Sequence, residues 1–494
     1  MSGEDRIERN GTNGRNGVNE RNGMNGHSEQ GPNERGERGG PDRPFDAVVI
    51  GGGSAGLSFA KRAAKNGASV ALIEMDELGG TCVNRGCVPK KLLWQVAHLH
   101  RRDDALVEEG HLSNVPRLDL GRVQDTIADH LEGIRSTYKD ELDDHGIRVV
   151  RSRATLIDAR TVRCGDETIH THRIVLATGS EPARLDVPGA ELTEVSNDVF
   201  EWREPPEKLL ILGGGYIGIE FATIFSGLGT QVVLADAGEE PLDGFDPESV
   251  AHVREHLEHE GVRFVMETEL QSVERRANRL GATLSNGDTI ECDRVLVAVG
   301  RTPRLEGLGD VADGLRRTDS GLLDVSDTFE TSEEGIFAVG DTVERMALTP
   351  VAKRDGAWLA DHLFGTPGEK LDLGLVASVT YADPPVAQIG RIGAKEPEDG
   401  LHVSRGTVSP LKNGLARNTH ERHQHKNFFK LLSEGEDGPI RGVSLVSNGA
   451  EDEISWAAVL VSSGVTMAAL ARPAAVHPSF AEEMIGGQDA SDIP

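Results

Sequence analysis

Two cysteines, Cys82 and Cys87, stand five positions apart in the segment Gly79-Gly80-Thr81-Cys82-Val83-Asn84-Arg85-Gly86-Cys87-Val88-Pro89-Lys90. The segment turns helical through 92–97. Near the start of a helix two thiols at this spacing can meet if the turn distorts, a freedom that Gly86 would supply. A helix N-terminus lowers a thiol pKa, and the thiolate is the species that exchanges with disulfides. The same residues also admit a zinc site or an inert pair. Zinc needs two further Cys or His ligands at ligand spacing. The first histidines downstream, His98 and His100, are two apart on a helix and point different ways. The remaining cysteines, Cys164 and Cys292, are isolated in strand-like surroundings and are expected to be plain structural side chains.

A redox pair needs a source of electrons and elements that position it. Residues 47–50, Ala-Val-Val-Ile, form a short apolar run of the kind that makes a buried parallel strand. Gly51-Gly52-Gly53-Ser54-Ala55-Gly56 follows, then a helical stretch to Lys65 and a second strand over 69–73. In that context Gly51 permits a tight turn, Gly53 lets a pyrophosphate approach the backbone, and Gly56 packs helix on strand. The helix N-terminus at Ser54 favours phosphate through its free N–H groups and its dipole. Glu74, 23 residues after Gly51, is placed to take ribose hydroxyls. The pattern returns with a strand over 208–212, then Gly213, Gly215, Tyr216 and Gly218, a helix to Leu228, a strand over 231–235, and Asp236, again 23 residues after the first glycine. A carboxylate there binds a 2′-hydroxyl and repels a 2′-phosphate, and no Arg or Lys lies between Asp236 and Pro247, so NAD(H) is favoured over NADP(H). Two such units imply two nucleotide-binding domains. One can hold FAD, which accepts a hydride, and the other NAD(P)H, which supplies it.

Composition bounds the rest. The 494 residues suffice for about three domains. The 81 acidic against 52 basic side chains leave a net charge of −29, which repels nucleic acid and anionic membranes. Only 12 of the 52 basic residues are Lys, a skew that resembles proteins of salt-loving archaea and suggests a halophilic chain. No apolar run approaches the roughly 20 residues of a membrane span, and the polar N-terminus does not read as a secretory signal, so a cytoplasmic protein is expected. Residues 1–43 are rich in Asn, Gly, Arg and Glu and are expected to be a disordered tail. From about residue 375 strand-like pieces (426–432, 440–446) alternate with helix-like ones (452–461, 467–471), which indicates a separate α+β domain.

Taken in order, the Gly51 turn, Cys82 and Cys87, Ala177-Thr178-Gly179, the Gly213 turn, Val299-Gly300-Arg301-Thr302-Pro303, Ala338-Val339-Gly340-Asp341 and His477-Pro478 resemble the FAD-containing pyridine nucleotide-disulfide oxidoreductases, over about residues 44–485. The resemblance implies an α/β fold: an FAD domain split between 44–180 and 304–374, an NAD(P) domain over 181–303 and a dimerisation domain over 375–494. It implies that Cys82 is the interchange thiol, Cys87 the thiol against the flavin, and Lys90 or Lys91 the partner of Glu220 beside the flavin. It puts Thr81, Thr178, Gly179, Gly340 and Asp341 at the FAD, and Tyr216, Gly300 and Arg301 at the nicotinamide side. His477, oriented by Glu482, is implied as an acid–base group supplied across a two-fold axis, which requires a homodimer.

The substrate is less marked. Pro89-Lys90-Lys91 with Trp94, and Ala475-Val476-His477-Pro478 before Glu482-Glu483, resemble the glutathione reductase branch. No cysteine follows Cys292, which disfavours mercury reduction. Asp236, and Ala357 where that branch has a glutathione-contacting arginine, cut against glutathione itself, although Lys61 and Ser54 could meet a substrate carboxylate. The expected partner is a low-molecular-weight disulfide, glutathione- or bis-γ-glutamylcystine-like. Dihydrolipoamide dehydrogenation with NAD is the alternative, and an FAD- and NADH-binding sensor is the non-enzymatic one.

Overall fold

The computed structural model describes residues 43–108, 110–392, 401–408, 426–477 and 479–486; the tail expected at 1–43 lies, except for its last residue, outside them, as does Pro478. The architecture is α/β with an added antiparallel layer. The apolar run Ala47–Ile50 is wholly buried and forms the centre of a five-stranded parallel sheet. Val70–Glu74 and then Arg148–Arg151 lie on one side of it, Ile174–Leu176 and then Ile336–Ala338 on the other. A strand apolar at every position fits because helices cover both faces of a parallel sheet. The helix Ser54–Lys65 buries Leu57, Phe59, Ala60 and Ala63 against it, and Thr349–Phe364 packs along that helix.

The second parallel sheet repeats the plan. Lys208–Leu212 is central, with Gln231–Ala235 and Arg263–Val265 on one side and Arg294–Val297 and Glu194–Val195 on the other. In both sheets a three-stranded antiparallel meander precedes the strand that returns to the centre, Ala154–Asp158 to Glu167–His170 in the first and Leu270–Arg276 to Thr289–Cys292 in the second. The meanders were not singled out from the sequence. Cys164 and Cys292 end strands within them, both buried, and desolvation pushes each thiol up to about 11. They are inert at neutral pH.

The C-terminal layer is a five-stranded antiparallel sheet, ordered Ser378–Thr380, Val386–Gly390, Ile440–Val446, Asn427–Glu434, Leu401–Val408. The helix Ala450–Ser462 covers it through Ile454, Ala457 and Val461. Among the described residues no helix is long and apolar enough to cross a membrane.

Candidate active site

The cysteine segment is two helices rather than one distorted turn. Gly80–Asn84 carries Cys82, the chain breaks at Arg85 and Gly86, and Cys87 is the first residue of the long helix Cys87–Glu108. A Cβ on Gly86 would stand 2.9 Å from the Thr81 carbonyl oxygen, so the break needs glycine for close approach. At the start of a helix of 22 residues Cys87 sits where unpaired N–H groups and the dipole favour a thiolate. Both thiols are free, and their acidities diverge. The hydrogen bond from Cys82 holds Cys87 down to about 6, with Thr349 Oγ1 at 3.9 Å and the Lys90 ammonium adding to it. Donating that hydrogen bond, and burial, push Cys82 well above the thiol range. One proton is thus shared unequally, with the thiolate on Cys87.

Behind the thiols lies a buried ion pair. Lys90 Nζ meets Glu220 Oε1 at 2.5 Å, with the two residues 8% and 4% exposed. Lys90 comes from the cysteine helix and Glu220 from Tyr216–Gly227, the helix of the second glycine turn, so the pair joins the two parallel-sheet units. Lys91, the other candidate for this partnership, pairs instead with Glu451 at 2.7 Å. Successive residues on a helix point about 100° apart, so only one of the two could reach Glu220. His98 and His100 also have separate partners, Asp383 Oδ2 at 3.0 Å and the Gly227 carbonyl at 3.1 Å.

The two glycine turns have the shape that a dinucleotide needs. Gly51 and Gly213 sit at φ +109° and +107°, and a Cβ on Gly56 or Gly218 would fall 1.9 Å from the carbonyl oxygen of Gly51 or Gly213. The helices begin after Gly53 and Gly215 with no side-chain cap, leaving first-turn N–H groups for an anion. Glu74 accepts from the N–H of Gly52 (2.5 Å) and of Asp76 (2.7 Å); Asp236 accepts from Gly214 (2.6 Å) and Gly238 (2.7 Å). Each carboxylate oxygen keeps a lone pair for a ribose hydroxyl.

Around the first turn, Gly179 (φ +69°) and Gly340 (φ +79°) follow the strands Ile174–Leu176 and Ile336–Ala338, at the same ends of those strands as Gly51. The Thr178 hydroxyl is buried and, among the described residues, has no hydrogen-bond partner. Asp341 Oδ2 accepts from Ser180 Oγ at 2.8 Å. This cradle fits FAD: a close backbone approach at the glycines, a tethered carboxylate at the ribose position, and a buried hydroxyl awaiting a partner. Arg301, expected at the nicotinamide side, acts electrostatically on Tyr216 and is also tied to Ser180. It donates to Ser180 Oγ and Ser180 O at 2.8 and 2.7 Å and reaches Thr81 Oγ1 at 3.5 Å. The reason is that Arg301–Pro303 pairs with Ser180–Pro182 in a two-stranded ribbon, while Gly300 (φ +127°) turns the chain into it. Tyr216 opens the second helix and is 45% exposed.

His477 and Glu482 form a second cluster, Nδ1 to Oε2 at 2.7 Å, with the imidazole largely exposed. Ser479 Oγ accepts from the Glu482 N–H and sets the turn between them. Among the described residues this cluster makes no contact with the thiols. Lys61 pairs with Glu141 at 2.6 Å and lies over Tyr138, whose hydroxyl is influenced by Cys82. Thr349, Ser180 and Tyr381, all in contact with site residues, carry no local sequence signal, because each reaches the site only through tertiary packing.

The model for pyridine nucleotide-disulphide oxidoreductases matches residues 45–356, and that for the dimerisation domain of the same group matches residues 376–486. The chain is 31% identical to a glutathione reductase of Nostoc sp., over 89% of the chain and 98% of the relative. It is 30% identical to a dihydrolipoyl dehydrogenase of Bacillus subtilis (88% and 94%) and 28% identical to a mercuric reductase of Staphylococcus aureus (92% and 84%).

Proposed function

This chain belongs to the pyridine nucleotide-disulphide oxidoreductases, enzymes acting on sulfur groups through FAD, and from that premise we propose that it reduces a small disulfide of the glutathione or bis-γ-glutamylcystine kind with NADH. The observation that carries the reading is the unequal thiol pair set in front of the buried Lys90–Glu220 pair. FAD, when bound, accepts a hydride from the nicotinamide and delivers two electrons to the Cys82–Cys87 disulfide.

The protein's own groups do the rest. Cys82, which holds its proton in the reduced pair, must lose it before it can attack one substrate sulfur and form a mixed disulfide. An imidazole titrates in the right range to take that proton and return it to the departing thiolate. His477 of the partner subunit is the group assigned here, with Glu482 orienting its Nδ1. Cys87, already a thiolate, then attacks the Cys82 sulfur of the mixed disulfide, expels the second product as a thiolate that takes its proton from solvent, and restores the Cys82–Cys87 disulfide. The dimerisation domain supports the homodimer this needs. Glu74, Thr178, Gly179 and Asp341 would hold FAD, and Asp236 the adenosine ribose of NADH. Cytoplasm is the proposed place of action.

Asp236 also favours a second reading, NAD-dependent oxidation of dihydrolipoamide. A steady-state assay of NADH and NADPH against cystine, glutathione disulfide, bis-γ-glutamylcystine and lipoamide separates the two. NADH-driven turnover of a γ-glutamyl disulfide is the expected result. Turnover of lipoamide alone overturns it.

A further inference from the structure

The Lys90–Glu220 pair is touched by a third element. The backbone N–H of Tyr381 donates to Glu220 Oε1 at 3.1 Å, the same oxygen that receives Lys90. The Tyr381 ring has Lys90 Nζ 4.0 Å and Lys91 Nζ 3.9 Å from its centroid. Lys91 is held by Glu451 on the helix Ala450–Ser462 and also lies over Trp94, 4.1 Å from that ring. Glu451 Oε2 is buried and has no hydrogen-bond partner among the described residues, so all its pairing goes to Lys91 through the other oxygen. The segment carrying Tyr381 is fastened to the cysteine helix. Trp94 Nε1 donates to Ala382 O at 3.0 Å and its ring meets Tyr381 edge-on, while His98 and Arg101 hold Asp383.

We propose that Tyr381 is a positioning residue for the thiol chemistry: its ring, in contact with the ammonium groups of both Lys90 and Lys91, and its N–H on Glu220 fix the Lys90–Glu220 pair in register behind Cys87, so that the C-terminal layer sets the reactivity of a thiol it does not touch. The inference rests on the disulfide-reductase reading above and adds a third support to its site. Lys90 favours the Cys87 thiolate and Glu220 opposes it, so the balance depends on where the two charges sit relative to the sulfur. Among the described residues, Cys82, Thr349, Lys90, Glu220, Tyr216 and Tyr381 interact with Cys87, and of the groups outside the ion pair Tyr381 is the one seen to touch both of its members. Losing its ring removes the face that holds both ammonium groups. Losing the charge of Glu451 frees Lys91, whose positive charge then acts on the site without compensation.

The test is the pH profile of alkylation of the dithionite-reduced holoenzyme by iodoacetamide, with Cys82 and Cys87 followed separately by peptide mass spectrometry. Tyr381→Leu should raise the apparent pKa of Cys87 by about half a unit. Tyr381→Phe, which keeps ring and N–H, should restore the wild-type profile. Glu451→Gln should move it by less and in the opposite direction, a sign that general loosening would not give. If Tyr381→Leu does not fold, the Phe and Gln variants still decide. A wild-type profile in a folded Tyr381→Leu protein, Tyr381→Phe behaving as Leu, or Glu451→Gln raising the pKa overturns the proposal. The readout needs no disulfide substrate, so a chain that reduced none of the assayed disulfides could still show the shifts.

Discussion

The two nucleotide folds of this chain use one backbone device and differ in what closes it. Both place a glycine at φ +109° or +107° after the central strand, both pack the next helix so closely that a Cβ on the third glycine would fall 1.9 Å from a carbonyl oxygen, and both tether a carboxylate with two N–H groups. A following segment closes each turn at its second glycine, Gly79 N donating to Gly52 O and Leu242 N to Gly214 O, each at 2.9 Å. In the first fold the cysteine segment also covers Gly53, where an added Cβ would meet Gly80 Cα at 3.7 Å and one on Gly80 would sit 2.7 Å from Gly53 Cα. In the second, a Cβ on Gly215 would meet nothing within 4 Å, and the residue after it is the exposed Tyr216. A covered turn suits a resident group and an open one suits a cosubstrate that exchanges. On the reading proposed above, the same motif would serve retention at the first turn and turnover at the second, according to the segment that lies over it.

The comparison breaks most sharply at the third glycines. Gly56→Ala and Gly218→Ala each force a methyl against a backbone carbonyl, a cost of about 3 kcal/mol where the helix cannot back away. Gly56→Ala is expected to yield protein without flavin and with a lowered melting temperature. Gly218→Ala should retain flavin, by absorbance ratio, and lose nicotinamide binding. Loss of flavin from both would show that the two folds are not separable.

A second effect belongs to the covered side alone. In the reduced protein Cys87 ionises near 6, against an ordinary thiol value of 9.0. Below pH 6 the folded and unfolded chains both protonate it and it contributes nothing. Between 6 and 9 the unfolded chain binds the extra proton, so stability rises with pH. Above 9 the unfolded Cys82 ionises while the folded one keeps its proton, and the gain reverses. Urea unfolding of reduced wild type against Cys87→Ser should show this rise over pH 6–9, flattened in the variant.

What could be read from the sequence divides along the same line. The strands at 47–50, 208–212 and 231–235 carry their bounds in local patterning, because a buried parallel strand followed by glycines leaves little choice of register. The C-terminal strand Ile440–Val446 was equally plain. The choice between Lys90 and Lys91 was not, since both lie on one helix and only the neighbours across the packing interface tell them apart. The contacts of Arg301 were hidden for a similar reason: the side chain's hydrogen-bond partner, Ser180, is 121 residues away. The break at Arg85–Gly86 left a glycine as its mark, but glycine alone did not distinguish a bent helix from two helices.

The carboxylates give a third, smaller contrast. Glu74→Gln and Asp236→Asn keep the shape but weaken the charge-assisted bonds to Gly52 and Gly214 and to the ribose. Glu74→Gln should speed flavin loss in mild chaotrope. Asp236→Asn should cut kcat/KM for NADH about tenfold, equivalent to roughly 1.4 kcal/mol, and narrow the preference over NADPH. An unchanged ratio of the two nicotinamides in Asp236→Asn would place the discrimination elsewhere.

The smallest effect sharpens the contrast most, because it touches only the open turn. Gly215 has φ −68° and ψ 179°, a conformation any residue adopts, and its Cβ position is free of protein atoms. Alanine there costs the fold nothing, and the melting temperature and flavin content should match wild type. If the open turn receives a pyrophosphate at van der Waals distance from the backbone, the added methyl must meet it. The expected result is a KM for NADH raised several-fold with kcat nearly unchanged, the pattern of lost binding common to ground and transition states. The partner experiment is Gly80→Ala, where φ +60° and the 2.7 Å approach to Gly53 make the methyl a problem for the protein itself. It should lower the melting temperature and the flavin content together. A Gly215→Ala enzyme with an unaltered KM would mean that the pyrophosphate does not approach this turn, and the difference between the covered and the open fold would then lie in something other than which of them exchanges its nucleotide.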